Sequence, residues 1–225
     1  MNADSITLAD ALKQRRSVRG FMDKPVPQSV LEEVFSLAQH APSNCNIQPW
    51  QVWVASGQSR DTLRERMVDK VSRGVPFEPD YDSLPRFEGV YRERQVECAM
   101  ALYGSMGIAR EDRDGRRRAE LRNFQLFDAP HVAFIGMDKA FGVTVALDVG
   151  MYIQSLLLTM SAYGLGACAQ GSMRYYPQDV REILGIPDSS AIVLGISFGY
   201  EDPDVAANKT RVGRAPLQDS VRFCD

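Results

Sequence analysis

The stretch from Val143 to Tyr163 constrains this chain more than any other. It carries Leu147, Met151, Leu156, Leu157 and Met160 with scarcely any charge beyond Asp148, which reads as a helix buried in a core. A bilayer span is the poorer reading, because Asp148, Gln154 and several glycines and hydroxyls interrupt the stretch and no positive flank follows it. A second apolar run, residues 191–199 (AIVLGISFG), reads as a strand, and the two together are expected to form the centre of the core. At 225 residues, 44% of them hydrophobic and 24% charged, the chain is long enough to bury such a core and favours one domain over residues 1–225. Its net charge of −3 offers no general attraction to nucleic acid or to an anionic membrane, and neither is expected as a partner.

Around these two elements the pattern alternates helices with strands. Thr7 is placed to cap a helix running toward Arg15, with Asp10 three residues on. Val30, Leu31, Val34, Leu37 and Ala38 recur at helical spacing until Pro42. Residues 51–55 (QVWVA) and 131–137 (HVAFIGM) read as strands, 57–72 as a surface helix and 176–184 as a short helix. Residues 95–123 read as one long helix, whose six arginines between 110 and 122 face Glu111, Asp112, Asp114 and Glu120 in a mixed-sign solvated surface. Residues 215–223 read as an extended tail. Residues 73–94, rich in proline and charge and carrying Phe77, Tyr81, Phe87 and Tyr91, read as a lid over a pocket or as a solvated insertion with packed aromatics. Strands alternating with helices predict an α+β or α/β sheet covered by helices.

Several chemistries are excluded early. The four cysteines, Cys45, Cys98, Cys168 and Cys224, form no CxxC pair, and His40 and His131 are the only histidines, so neither a zinc site nor a disulfide framework is expected. The N-terminus has no basic or apolar targeting segment, which makes the cytoplasm the expected location. Gly195-Ile-Ser-Phe-Gly199 matches a nucleophile elbow, yet no histidine follows it and no helix pattern begins after it. Gly164-Leu-Gly-Ala-Cys-Ala169 fits a dinucleotide fingerprint in letters only, because it follows a helix and opens a strand; Gly164 reads instead as a left-handed helix terminus.

Three clusters remain. Arg15, Arg16, Ser17 and Arg19 bring forked donors and a hydroxyl to a helix end, in number suited to a phosphate, with a surface charge cluster as the bland alternative. Residues 41–50 (APSNCNIQPW) form a proline-bracketed loop whose amides suit the edge of a planar heterocycle, or else bond their own backbone. Residues 208–217 (NKTRVGRAPL) repeat the phosphate-type chemistry, with a solvated tail as the alternative. No acid–base dyad, metal set or nucleophile is evident, so a cofactor is expected to carry the chemistry.

The segments RRSVRGF, APSNCNIQPW, GLGACAQGS and NKTRVGRAPL occur in the order and spacing seen in the nitroreductase-like flavoproteins, so that from about residue 8 to 221 the chain resembles that family. Its RRSVR segment also resembles that of the iodotyrosine dehalogenases. The resemblance implies an α+β fold with a central, mostly antiparallel sheet flanked by helices, in an intertwined homodimer that binds FMN between subunits. It implies that Arg15, Ser17 and Arg19 hold the phosphate and ribityl chain, with Arg16 sharing that role or meeting the ring edge. Pro42, Ser43, Asn44 and Asn46 would line the flavin from the partner chain, braced by Gln48 and Trp50. Gln170 and Gly171 would lie near the ring, and Arg214, with Arg211, would add phosphate contacts. Where the family often carries an asparagine and a lysine before the strand at 131, this chain has Arg122, Asn123, Phe124 and Gln125. The implied activity is ping-pong transfer of electrons from NADH or NADPH to a nitroaromatic, quinone or conjugated carbonyl, with Phe77, Tyr81 and Phe124 stacking over the acceptor. Reductive dehalogenation on the same fold, and a non-catalytic flavin-binding or sensing dimer, are the alternatives.

Overall fold

A computed structural model describes residues 6–81 and 86–224. Four strands, β1 (Gln51–Ser56), β2 (His131–Asp138), β3 (Gly166–Gln170) and β4 (Ser190–Gly199), form one sheet in the order β1-β2-β4-β3, with every neighbouring pair antiparallel. The two central strands are the two whose sequences run apolar almost without a break, as burial on both faces requires. Alternation then sends Ala133, Ile135 and Met137 of β2 to one face and Val132 and Phe134 to the other.

The described residues form seven helices, α1 (Leu8–Gln14), α2 (Gln28–Ala38), α3 (Gly57–Ser72), α4 (Gly89–Ser105), α5 (Arg113–Leu121), α6 (Val143–Ala162) and α7 (Pro177–Leu184), of which α2, α3, α6 and α7 cover the sheet. On one face Val34 of α2 and Tyr152, Leu156 and Met160 of α6 pack against Ile135, Ile196 and Phe198. On the other, Leu63 and Met67 of α3 and Val180 of α7 pack against Phe134 and Ile192. Each such side chain taken fully from water contributes about 1.5–3 kcal/mol, so these two layers hold the sheet. The α+β architecture with an antiparallel sheet is as expected.

Local signals explain the ends of several elements. Thr7 Oγ1 accepts the Asp10 N–H at 3.1 Å and starts α1. Gly164, at φ +71°, closes α6 with Leu165 N–H returning to Met160 O at 2.9 Å. Gly195 sits inside β4, where a Cβ would approach the Met173 side chain to 2.6 Å, and Ser197 beside it is buried. The elbow-like pattern is therefore a packing requirement.

Three expectations are corrected. Residues 95–123 are not one helix: α4 already begins at Gly89 and stops at Ser105, Gly107 turns the chain at φ +67°, and Asp112 caps α5 by accepting the Gly115 N–H at 2.7 Å. The α6 helix is buried along one stripe only, with Val143 and Leu147 exposed at 80% and 65%. The tail contains a 3-10 turn at Leu217–Asp219. Residues 75–81 are tied to the body of the protein, with Phe77 packed among Phe124, Tyr175 and Tyr176. Val75 O accepts the Tyr176 hydroxyl at 2.9 Å, Glu78 N–H reaches Tyr175 O at 3.0 Å, and Asp80 makes a buried ion pair with Arg181 while accepting the Ile192 N–H at 2.8 Å. Of the remainder of that segment, residues 82–85 lie outside the described residues and 89–94 belong to α4.

Candidate functional site

After α1 the chain runs beside the outer strand β3. Val18 N–H bonds Ala167 O at 3.0 Å, and its side chain is buried so close to Gly166 that a Cβ there would approach it to 2.9 Å. Burying Val18 fixes the flanking residues at the rim. The other end of the chain is brought to the same place by Asn208, a buried side chain in the 3-10 turn Ala206–Lys209. Its Oδ1 accepts the Arg19 N–H at 2.6 Å, and its Nδ2 donates to Gly20 O and Asp202 O, both at 2.8 Å.

The result is a cleft of about 950 Å³ lined by Arg15, Arg16, Ser17 and Arg19 from one end of the chain and by Arg211 and Arg214 from the other. Its five arginines and Lys13 face one carboxylate, Glu201, which pairs with Arg16 through both oxygens. Arg211 Nη1 bonds the carbonyls of Asn208 and Thr210 at 2.8 and 2.9 Å, and Arg214 Nη1 bonds Gly213 O at 2.9 Å. Each guanidinium has five N–H groups, so these bonds orient the side chains without exhausting their donors. A concentrated positive field with forked donors is the arrangement that receives a phosphate. A smaller pocket of about 240 Å³, sharing Arg19 and Leu102 with the cleft, continues to Tyr103, Glu120, Asn123 and Phe127.

The second predicted cluster is a shaped loop that does not line this cleft. Asn44–Asn46 form a 3-10 turn, and Cys45, Asn46 and Gln48 have φ of +48°, +56° and +46°. Ser43 Oγ accepts the Gln48 N–H at 2.9 Å, and Gln48 Nε2 donates to Asn46 O at 3.1 Å. Trp50 stacks on Tyr152 with ring centroids 4.8 Å apart and donates Nε1–H to Gln39 at 2.8 Å. Gln48 and Trp50 thus brace the loop, Asn44 and Asn46 stand exposed, and Pro42 leads into it.

Gln170 is buried and fully oriented: Nε2 donates to Asn123 O at 2.9 Å, and Oε1 accepts from Ser197 Oγ at 2.5 Å. Gly171 is open, with nothing within 4 Å of where a Cβ would stand, and the neighbouring Ser172 Oγ is buried without a partner. Phe77 and Phe124 lie together, their rings nearly parallel with centroids 6.5 Å apart. Tyr175 completes the group, stacked on Phe77 at 4.3 Å. Tyr81 does not join them: it packs on the other face of the sheet beside Asp80, where burial, then the Asp80 and Asp138 charges, push its phenol pKa up.

The residues not read from sequence are the orienting ones: Asn208, Glu201, Asn123, Ser197, Tyr175 and Asp148. Asp148 carried a signal, as the lone charge in an apolar stretch, and Asn208, Asn123 and Ser197 sit in segments singled out above for other reasons; Glu201 and Tyr175 carry no local mark of their role.

Residues 12–200 match the family model for the nitroreductase family. The chain is 37% identical to the nitroreductase NfnB of Mycolicibacterium smegmatis over 94% of its length and 90% of the relative's. It is also 37% identical to a 4-nitrobenzoate reductase of Nocardioides sp., over 97% and 91%. The crystal structure of the FMN-dependent NfnB from Mycobacterium smegmatis in complex with NADPH superposes with a TM-score of 0.92, covering 97% of this chain and 98% of that one.

Proposed function

The chain belongs to the nitroreductase family, and from that premise we propose that it is an FMN-dependent oxidoreductase that passes electrons from NADPH or NADH to nitroaromatic and related conjugated acceptors. The observation that carries this reading is the meeting of arginines from both ends of the chain in one cleft of mononucleotide size. FMN, when bound, supplies the electron transfer that no side chain here can perform. The protein's own part is to bind and orient. Arg15, Arg19, Arg211 and Arg214 hold the phosphate with Ser17. Arg16, already paired with Glu201, is the weaker contributor. The open face of Gly171 leaves space for a flat ring beside Gln170, whose side chain is held in one orientation by Asn123 and Ser197. Phe77, Phe124 and Tyr175 offer flat apolar faces to an aromatic acceptor.

The working unit in this reading is a homodimer in which the 42–48 loop of one chain completes the cleft of the other. Two features support it: the loop stands away from its own chain's cleft, and α6 exposes Val143, Leu147 and Met151 at four-residue spacing. The similarity to a structure holding NADPH supports that donor, and the similarity to a 4-nitrobenzoate reductase supports the acceptor class.

An anaerobic stopped-flow experiment tests the assignment. The FMN-loaded protein should bleach on mixing with NADPH and regain its colour when a nitroaromatic is added. If neither half-reaction occurs, the protein is a flavin binder and the enzymatic reading fails.

A further inference from the structure

We propose that Asp148 is a positioning residue for FMN binding, setting the shape of the 43–48 loop from the floor of α6. This rests on the reading that the loop reaches a flavin. Asp148 is the only charged residue among the 20 of α6, and it is 5% exposed. A carboxylate taken so far from water needs strong acceptor work to do. It accepts the backbone N–H of Asn44 at 3.1 Å, the first residue of the 3-10 turn.

The loop needs such a hold. Three of its non-glycine residues, Cys45, Asn46 and Gln48, occupy left-handed backbone conformations, each costing on the order of 1 kcal/mol or more and persisting only where the surroundings impose them. The loop's internal bonds, Ser43–Gln48 and Gln48–Asn46, close it on itself without fixing it to the sheet. Asp148 supplies that anchor at the front. One helical turn further on, Tyr152 supplies it at the back by stacking on Trp50. Positions 148 and 152 therefore form a clamp whose jaws are the two ends of the loop. The exposed stripe Val143, Leu147 and Met151 lies on the neighbouring face of the same helix. The helix that shapes the loop is thus also the one available to a second copy, which ties loop geometry to assembly.

The test compares Asp148→Asn, whose amide oxygen accepts the same N–H, with Asp148→Ala and Asp148→Leu, which have no acceptor. FMN affinity is read by quenching of flavin fluorescence and assembly by sedimentation. The alanine and leucine variants should sediment as the wild type does yet bind FMN about tenfold or more weakly, the loss expected for one hydrogen bond to a charged group. The asparagine variant should restore affinity. Hydrogen exchange on the wild-type protein gives a second readout: the Asn44 amide should be protected before FMN is added. Wild-type affinity in the alanine or leucine variant, no rescue by asparagine, or an unprotected Asn44 amide overturns the proposal. A wild-type protein that takes up no FMN overturns the functional reading instead.

Discussion

His131 opens β2 with both ring nitrogens engaged. Nε2 accepts the Val26 N–H at 2.9 Å, so the proton sits on Nδ1 and is donated to Ser56 Oγ at 2.5 Å. Burial, and then the charge of Arg60, lower its pKa from the ordinary value. The unfolded chain therefore takes up the second ring proton at a higher pH than the folded one, in which Nε2 is occupied as an acceptor. The contribution to stability is complete above about pH 6.5 and is lost as pH falls through the folded value. The midpoint of urea unfolding should accordingly drop between about pH 7.5 and 5.5, and His131→Gln should flatten that slope. An identical slope in the variant would remove His131 from the account. At this scale the sequence was readable where a residue's chemistry acts locally: Thr7 caps its helix as its hydroxyl and Asp10 implied. It was not readable where the partner is distant, as with Asn208 and Arg19, 189 residues apart, because no local pattern marks a long-range amide.

The strap 75–81 is the element whose behaviour departs furthest from its composition. Its prolines, charges and aromatics suit a lid over a pocket or a solvated insertion with packed aromatics, and nothing in them marks Asp80, which enters the protein to meet Arg181 with side-chain exposures of 9% and 6%. Removing one partner of such a pair leaves the other charged and buried, so Asp80→Ala should cost about 3–5 kcal/mol in urea unfolding. A loss below about 1 kcal/mol would mean the strap is held by its aromatics alone. The same strap presents Phe77 to Phe124 and Tyr175. Phe77→Ala should raise KM for a nitroaromatic about three- to tenfold, with FMN affinity unchanged. A fall in FMN affinity with KM unchanged would place the aromatic group on the cofactor instead. The strands and α6 were legible because apolar periodicity reports burial directly. The break between α4 and α5 was not, since residues 106–112 keep a helical mixture of polar and apolar residues and only Gly107 marks the turn.

At the scale of the whole molecule, the described residues leave a number of large apolar side chains exposed. Besides the α6 stripe, Leu8 and Leu12 of α1 and Leu217 and Phe223 of the tail are exposed, and the 17-residue α4 buries no residue at all. An isolated helix of that length is marginal in water, which again supports a second copy as its cover. Leu147→Glu should shift the sedimenting species toward monomer and weaken FMN binding with it; a monomer that keeps wild-type affinity would contradict a site shared between chains. That the two ends of the chain meet was implied by two arginine clusters in register with a known family. Why they meet is visible only in the fold, where Val18 is buried against β3 and Asn208 ties the returning tail to Arg19 and Gly20. The most direct measurement is an FMN titration of apoprotein, wild type against the double variant Arg15→Ala/Arg214→Ala. With about 1.5–3 kcal/mol expected from each charged contact, the variant should bind at least about a hundredfold more weakly. Equal affinity in the two proteins would show that the phosphate sits elsewhere.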